Sequence, residues 1–187
     1  MVTGASSGIG LELAKEFARN GCDVLIAAED DLTSAASEIE ALGATVETCQ
    51  ADLATPVGVE TVAERARGAG RPLDIVALNA GIGVGGRFLE TPLDQELKLI
   101  DLNVRSTVHL AKLLLPGMVA RGQGRLLITS SIAAVAATPY ARPVRDRIAG
   151  RAEPPARSDP PHSLTRLAAH LSSKRPLALG KYCVNFR

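Results

Sequence analysis

Eight residues near the N-terminus, Thr3-Gly4-Ala5-Ser6-Ser7-Gly8-Ile9-Gly10, constrain the possible folds of this chain more than any other stretch. They follow the apolar pair Met1-Val2 and run into a helical pattern in which Ile9, Leu13 and Phe17 recur on one face. A strand that turns through a glycine loop into a helix is the start of a βα unit. The glycines let the backbone turn tightly and approach a pyrophosphate, and the helix N-terminus behind them offers unpaired N–H groups and a favourable dipole. The alternative, a turn that merely tolerates glycine, fits the strand–loop–helix context less well.

The same alternation continues to about residue 131. Strands are expected at Val2-Thr3, Val24-Leu25-Ile26, Ala44 to Thr48, Ile75 to Leu78 and Leu126-Leu127-Ile128. Apolar runs of this kind suit strands of a parallel sheet covered on both faces. Ala35, Ile39 and Leu42 line a second helix, and Leu97, Ile100, Val104, Val108, Ala111 and Leu115 line a long one. Asn20-Gly21 and Leu42-Gly43 read as helix stops. Repeated βα units with right-handed crossovers predict an α/β fold, a Rossmann-type doubly wound parallel sheet. The first strand is very short for a central one, which normally has about five residues, so the start is expected to lie inside a longer original.

Charge divides the chain. Residues 1–140 carry 11 Lys+Arg against 17 Asp+Glu, whereas residues 141–187 carry 10 against 3 and hold six of the eleven prolines. That break predicts a domain over 1–140 and a basic, Pro/Arg-rich, irregular tail over 141–187, with helical character only from Leu164 to Leu171. The fold would then stop after its fifth strand, leaving Leu126-Leu127-Ile128 as an exposed, aggregation-prone edge. The overall charge of +1 and the lack of aromatic interleaving in the tail give no reason to expect a nucleic-acid partner. No apolar run reaches the roughly 20 residues that span a bilayer, so no membrane partner is expected. Cys22, Cys49 and Cys183 are far apart and odd in number, which suits free thiols and a cytoplasmic location. His109, His162 and His170 have no spaced ligands beside them and read as surface residues, so no metal is expected.

Glu29 closes the second strand about twenty residues after the glycine turn, where an acid can accept hydrogen bonds from ribose hydroxyls. With no basic residue at Ser7 or Ala28, its charge should repel a 2′-phosphate and favour NAD over NADP. Equally, the Glu29-Asp30-Asp31 run can be a solvated acidic start to the next helix.

Taken together, TGASSGIG, Asp52-Leu53 after the third strand, Leu78-Asn79-Ala80-Gly81 after the fourth, Asn103 within LNV, and Ser130-Ser131 after the fifth resemble the classical short-chain dehydrogenases/reductases over about residues 2–139. The resemblance implies that Gly4, Ser6, Gly8, Ile9 and Gly10 wrap the cofactor phosphates and ribose. It implies that Asp52 and Leu53 hold the adenine, and that Asn79, Ala80 and Gly81 line the path to the nicotinamide. The cofactor would be NAD or NADP, and the chemistry hydride transfer between it and a small carbonyl or alcohol substrate. Ser131 matches the serine that hydrogen-bonds the substrate oxygen, and Asn103 matches the helix asparagine of the proton relay. By themselves, a serine at a strand end can also simply satisfy the backbone, and an asparagine one turn from Ile100 is more often a structural hydrogen bonder.

The family pattern then fails. It places a tyrosine and a lysine thirteen and seventeen residues after the serine, a pair in which the lysine lowers the pKa of the tyrosine acid/base. Those positions hold Val144 and Ile148. Tyr140 and Tyr182 have Val144 and Phe186 where the lysine should be. The Arg-, Pro- and Ala-rich sequence beyond Tyr140 is what out-of-frame reading of GC-rich DNA produces. Impaired catalysis is therefore expected, with a non-catalytic dinucleotide-binding module or a truncated product without stable activity as alternatives. The family often assembles through its long fourth and fifth helices, and the fifth is missing, so a homo-oligomer is not expected.

Overall fold

The computed structural model describes residues 1–131 and the backbone of residues 181–186. Strands β1 (Val2–Thr3), β2 (Val24–Ala28), β3 (Val46–Gln50), β4 (Ile75–Leu78) and β5 (Gly124–Thr129) lie parallel in the order β3-β2-β1-β4-β5. The helices are α1 (Gly8–Arg19), α2 (Thr33–Glu40), α3 (Pro56–Gly68), α4 (Leu93–Ile100) and α5 (Ser106–Arg121), with a π-helical turn, Asp101–Arg105, joining the last two. This is the expected Rossmann-type, doubly wound sheet.

Alternation along the strands separates two cores. Val24, Ile26 and Ala28 of β2 and Ala77 of β4 pack with Leu13, Phe17, Ala35 and Ile39 of α1 and α2. Leu25 and Ala27, Val76 and Leu78, and Leu126 face the other way, against Val59 and Val62 of α3 and Leu110, Leu114 and Met118 of α5. All five residues of β2 are buried, as a strand covered on both faces requires. The edge strand β3 is mostly not, and it lies two residues later than expected, over the more polar VETCQ. Thr55 caps α3, its Oγ1 accepting from Gly58 N at 3.0 Å with Pro56 in the first turn.

Several helix faces differ from expectation. Leu13 and Phe17 are buried, but Ile9 is exposed at the mouth of the glycine turn; Ala14 and Ala18 complete the buried face instead. Ala35 and Ile39 are buried, whereas Leu42 lies beyond the end of α2 and is exposed. The larger correction concerns the long helix. Leu97, Ile100, Val104 and Val108 form an exposed stripe, and Ala111 and Leu115 are only half-buried. The buried row is Leu102, Ser106, Leu110, Leu114 and Met118. This helix is apolar on two faces, so both rows satisfy a spacing of three and four; only the position of the sheet selects the one that packs.

A sixth strand, β6 (Lys181–Phe186), pairs antiparallel with β5 from Gly124↔Phe186 to Thr129↔Lys181. The expected exposed edge at β5 is therefore covered, and this part of the tail is regular. KYCVNF is rich in residues that favour strands, and an unpaired apolar strand edge is a ready template for them. The Leu164–Leu171 segment, Val144 and Ile148 lie outside the described residues.

Candidate functional site

The chemistry-bearing residues gather beyond the carboxyl ends of β1, β2, β4 and β5. Thr3, the last residue of β1, is 1% exposed, and its hydroxyl accepts hydrogen bonds from Asn79 N at 3.0 Å and Ala80 N at 3.1 Å. The Asn79 side chain crosses the sheet: Nδ2 donates to Thr3 O at 3.3 Å, and Oδ1 accepts from Thr129 Oγ1 at 2.9 Å. A buried polar group is retained only where it is hydrogen-bonded. These bonds lock the ends of β1, β4 and β5 into one rigid ledge.

The glycine turn lies on that ledge. Gly4 has φ +66°, a conformation that disfavours a side chain, and a Cβ there would stand 2.8 Å from Ala80 Cα. A Cβ on Gly10 would lie 2.0 Å from Gly4 O and 2.7 Å from Asn79 Nδ2. The first turn of α1 is thus pressed against β1 and β4 as only glycine permits. That turn has no acidic residue, and Ser7 at its N-cap makes no side-chain capping bond. Its N–H groups and dipole suit an anion. The residues present therefore fit a dinucleotide pyrophosphate.

At the far side, Glu29 follows β2, and both its oxygens pair with Lys98 Nζ of α4, at 3.2 and 3.3 Å. Gln50 Nε2 donates to the Glu29 carbonyl at 2.9 Å. Ser6 Oγ donates to Asp30 Oδ2 at 3.1 Å. Thr33 donates through N and Oγ1 to Asp31 Oδ1, bonds that hold the Asp31 carboxyl below its ordinary pKa. Asp52 Oδ1 accepts from Ala54 N at 2.8 Å, and Leu53 beside it is buried.

Asn103 sits in the π-helical turn, a distortion often found at functional sites. Its Oδ1 accepts from Ile82 N at 2.9 Å, and its Nδ2 donates to Ile82 O at 2.8 Å. Gly81 makes room for this bidentate contact: a Cβ there would lie 3.1 Å from Asn103 Oδ1. Asn103 thus fastens the loop after β4 to the long helix. Ser131, exposed, stands two residues beyond the end of β5. Gly8 and Ile9 lie at the open start of α1.

Sequence reasoning missed Thr3, Thr129 and Lys98. Thr3 belongs to the quoted motif, and a β-branched hydroxyl before a glycine turn is its only local signal. Thr129 and Lys98 are marked by nothing local. Among the described residues, no group of His, Cys, Asp and Glu could hold a metal ion, and no helix is long and apolar enough to cross a membrane. His109 is half-buried, its Nε2 3.5 Å from Glu60 Oε1.

Comparison with known proteins bears on the family and the fold. The short chain dehydrogenase family profile matches residues 1–142. A Mycobacterium tuberculosis protein named "Probable oxidoreductase EphD" is 39% identical over 138 residues, covering 72% of this chain and 23% of its own. The 1-deoxy-11-beta-hydroxypentalenate dehydrogenase of Streptomyces avermitilis is 36% identical over 139 residues, covering 72% of this chain and 52% of its own. Among solved structures, L-sorbose reductase from Gluconobacter frateurii, complexed with NADPH and L-sorbose, superposes with a TM-score of 0.70 at 37% identity, over 74% of this chain and 54% of that one. The chain thus spans from about a quarter to about half of the length of these relatives.

Proposed function

The chain belongs to the short-chain dehydrogenase family, and from that premise we propose that it binds a nicotinamide dinucleotide but is impaired as an oxidoreductase. The observation that carries the proposal is the contact of Gly10 with Gly4 O, where a Cβ would stand at 2.0 Å and force the N-terminus of α1, with its anion-seeking N–H groups, away from the glycine turn. Gly4, Ser6, Gly8, Ile9 and Gly10 would hold the phosphates, Glu29 the adenosine ribose, Asp52 and Leu53 the adenine, and Asn79, Ala80 and Gly81 the nicotinamide side. The NADPH of the L-sorbose reductase relative supports this choice of cofactor. The charge of Glu29 favours NAD. When bound, the dinucleotide supplies a hydride donor or acceptor for a small carbonyl or alcohol.

The chain's own residues then divide the remaining work unevenly. Ser131 would donate a hydrogen bond to the substrate oxygen as negative charge develops there, and Asn103 would serve as the asparagine of the family's proton relay. Val144 and Ile148 stand at the sequence positions of the tyrosine and lysine, and their side chains can neither donate a proton nor lower a pKa. Loss of a general acid/base costs on the order of 10²–10⁴ in rate. Residues 1–140 would form the cofactor domain, and 141–187 a tail that contributes β6 to its sheet. The unpaired thiols of Cys22 and Cys49 accord with a cytoplasmic location.

Titration of the full chain with NADH, followed by cofactor fluorescence, together with a carbonyl-reduction panel, tests the proposal. Saturable binding with turnover far below the ordinary range of about 1–10³ s⁻¹ is expected. Turnover within that range refutes the impairment, and absence of binding refutes the cofactor site. A second reading, a non-catalytic NAD(H)-binding module, gains from β6, which covers the β5 edge that would otherwise drive aggregation. It requires binding with no turnover at all, whereas a truncated product without stable structure requires a non-cooperative melt. A homo-oligomer is not part of the proposal.

A further inference from the structure

We infer that Lys98 is a cofactor-specificity residue, which lets the ribose corner accept the 2′-phosphate of NADP(H) in spite of Glu29, so that the chain takes both dinucleotides. The inference rests on the dinucleotide binding proposed above. Taken alone, an acid after β2 recognises the ribose hydroxyls of NAD and repels a 2′-phosphate. Here that acid is not alone. Lys98, 69 residues away in sequence, brings its ammonium to 3.2 and 3.3 Å from the two Glu29 oxygens.

Asp30 accepts from the Ser6 hydroxyl and Asp31 from Thr33; both keep their charge, but both are exposed, where water screens it. Among the described residues, no other Lys or Arg forms an ion pair with Glu29, Asp30 or Asp31. Both side chains of the Lys98–Glu29 pair are about half-exposed, 44% and 55%, so the pair is weak and readily rearranged. An ammonium has three donors on a flexible four-carbon stem. Two are directed at Glu29, and the third remains for a phosphate oxygen, so one cation can bridge carboxylate and phosphate. A 2′-phosphate carries nearly two negative charges, and a charge-assisted hydrogen bond to it is among the stronger polar contacts. With NAD the same ammonium stays on Glu29, whose carboxylate still has lone pairs for the ribose hydroxyls.

The test is the ratio of dissociation constants for NADPH and NADH, measured by fluorescence titration of the full chain and its Lys98→Met and Lys98→Arg variants. Wild type should bind NADPH within about tenfold of NADH, and Lys98→Met should raise the ratio by a further factor of about ten, the usual worth of one charge-assisted bond to phosphate. Lys98→Arg keeps the charge and should stay near the wild-type ratio. Added salt should weaken NADPH binding more than NADH binding in wild type, and the difference should shrink in Lys98→Met. An unchanged ratio in Lys98→Met with both cofactors still bound overturns the role of Lys98 alone, as does a wild type that binds NADH but not NADPH. A wild type that binds neither overturns the cofactor site itself. Thermal melts of the variants confirm that the exposed substitution leaves the fold intact.

Discussion

Replacing Thr3 with valine should loosen the whole site ledge at almost constant volume. The hydroxyl is 1% exposed and is the acceptor for two backbone amides, Asn79 N at 3.0 Å and Ala80 N at 3.1 Å. Valine fills the same space with a methyl that accepts nothing, so no cavity forms and the cost falls mainly on the two orphaned donors, the hydroxyl's own bond to Ala77 O being long at 3.5 Å. An unsatisfied buried donor costs about 1–3 kcal/mol, and because these amides are only partly buried the lower part of that range applies. The expected loss is therefore about 2–4 kcal/mol, a large share of the roughly 5–15 kcal/mol that holds a domain together. Thr3→Ser keeps the acceptor and loses one methyl, worth about 1 kcal/mol. Equilibrium urea unfolding followed by far-UV circular dichroism reads both, since the chain has no tryptophan. Valine should lower the midpoint more than serine does, and should weaken NADH binding by detaching Asn79-Ala80-Gly81 from β1. If valine costs under about 0.5 kcal/mol, or less than serine, the hydroxyl is not what fastens β4 to β1, and the reasoning fails.

Gly10→Ala should abolish NADH binding and lower the melting temperature, because its Cβ would stand 2.0 Å from Gly4 O; a variant with wild-type affinity and melting point refutes the tight cradle. Thr55→Ala removes the α3 cap and should cost about 1 kcal/mol in urea unfolding, with NADH affinity unchanged. For a chain with a free amine at Met1, burial lowers the ammonium pKa from 8.0 to about 6. The unfolded chain then binds more protons than the folded one between those values, so stability should rise from pH 6 to pH 8, by up to about 2.7 kcal/mol. Unfolding midpoints measured across that range check it, and N-terminal acetylation should flatten the dependence.

Much of this fold is legible because its signals are local. The glycine turn, the apolar strand runs and the helix periodicity each depend on residues a few positions apart, and the turn, the strands and the helices all form, with β3 two residues later than expected and several helix faces turned differently. The residues Gly4, Gly8, Gly10, Asn79, Ala80 and Gly81 share this legibility, since motif spacing marks them without knowledge of what they touch. The long helix shows the limit. Leu97, Ile100, Val104 and Val108 have helical periodicity as good as that of Leu102, Leu110, Leu114 and Met118, yet the first row is exposed and the second packs on the sheet.

The sequence alone determined the parallel βα architecture, the glycine turn between β1 and α1 and the absence of a tyrosine–lysine pair, because these depend on backbone preference, spacing and residue identity. Tertiary structure decided which helix face is buried, that β6 covers β5, that Thr3 and Thr129 clamp Asn79, and that Lys98 stands on Glu29. Those contacts join residues about 50 to 76 positions apart. Their free energy exists only once the strands are paired and the helices laid across them, so no local pattern in the chain encodes them.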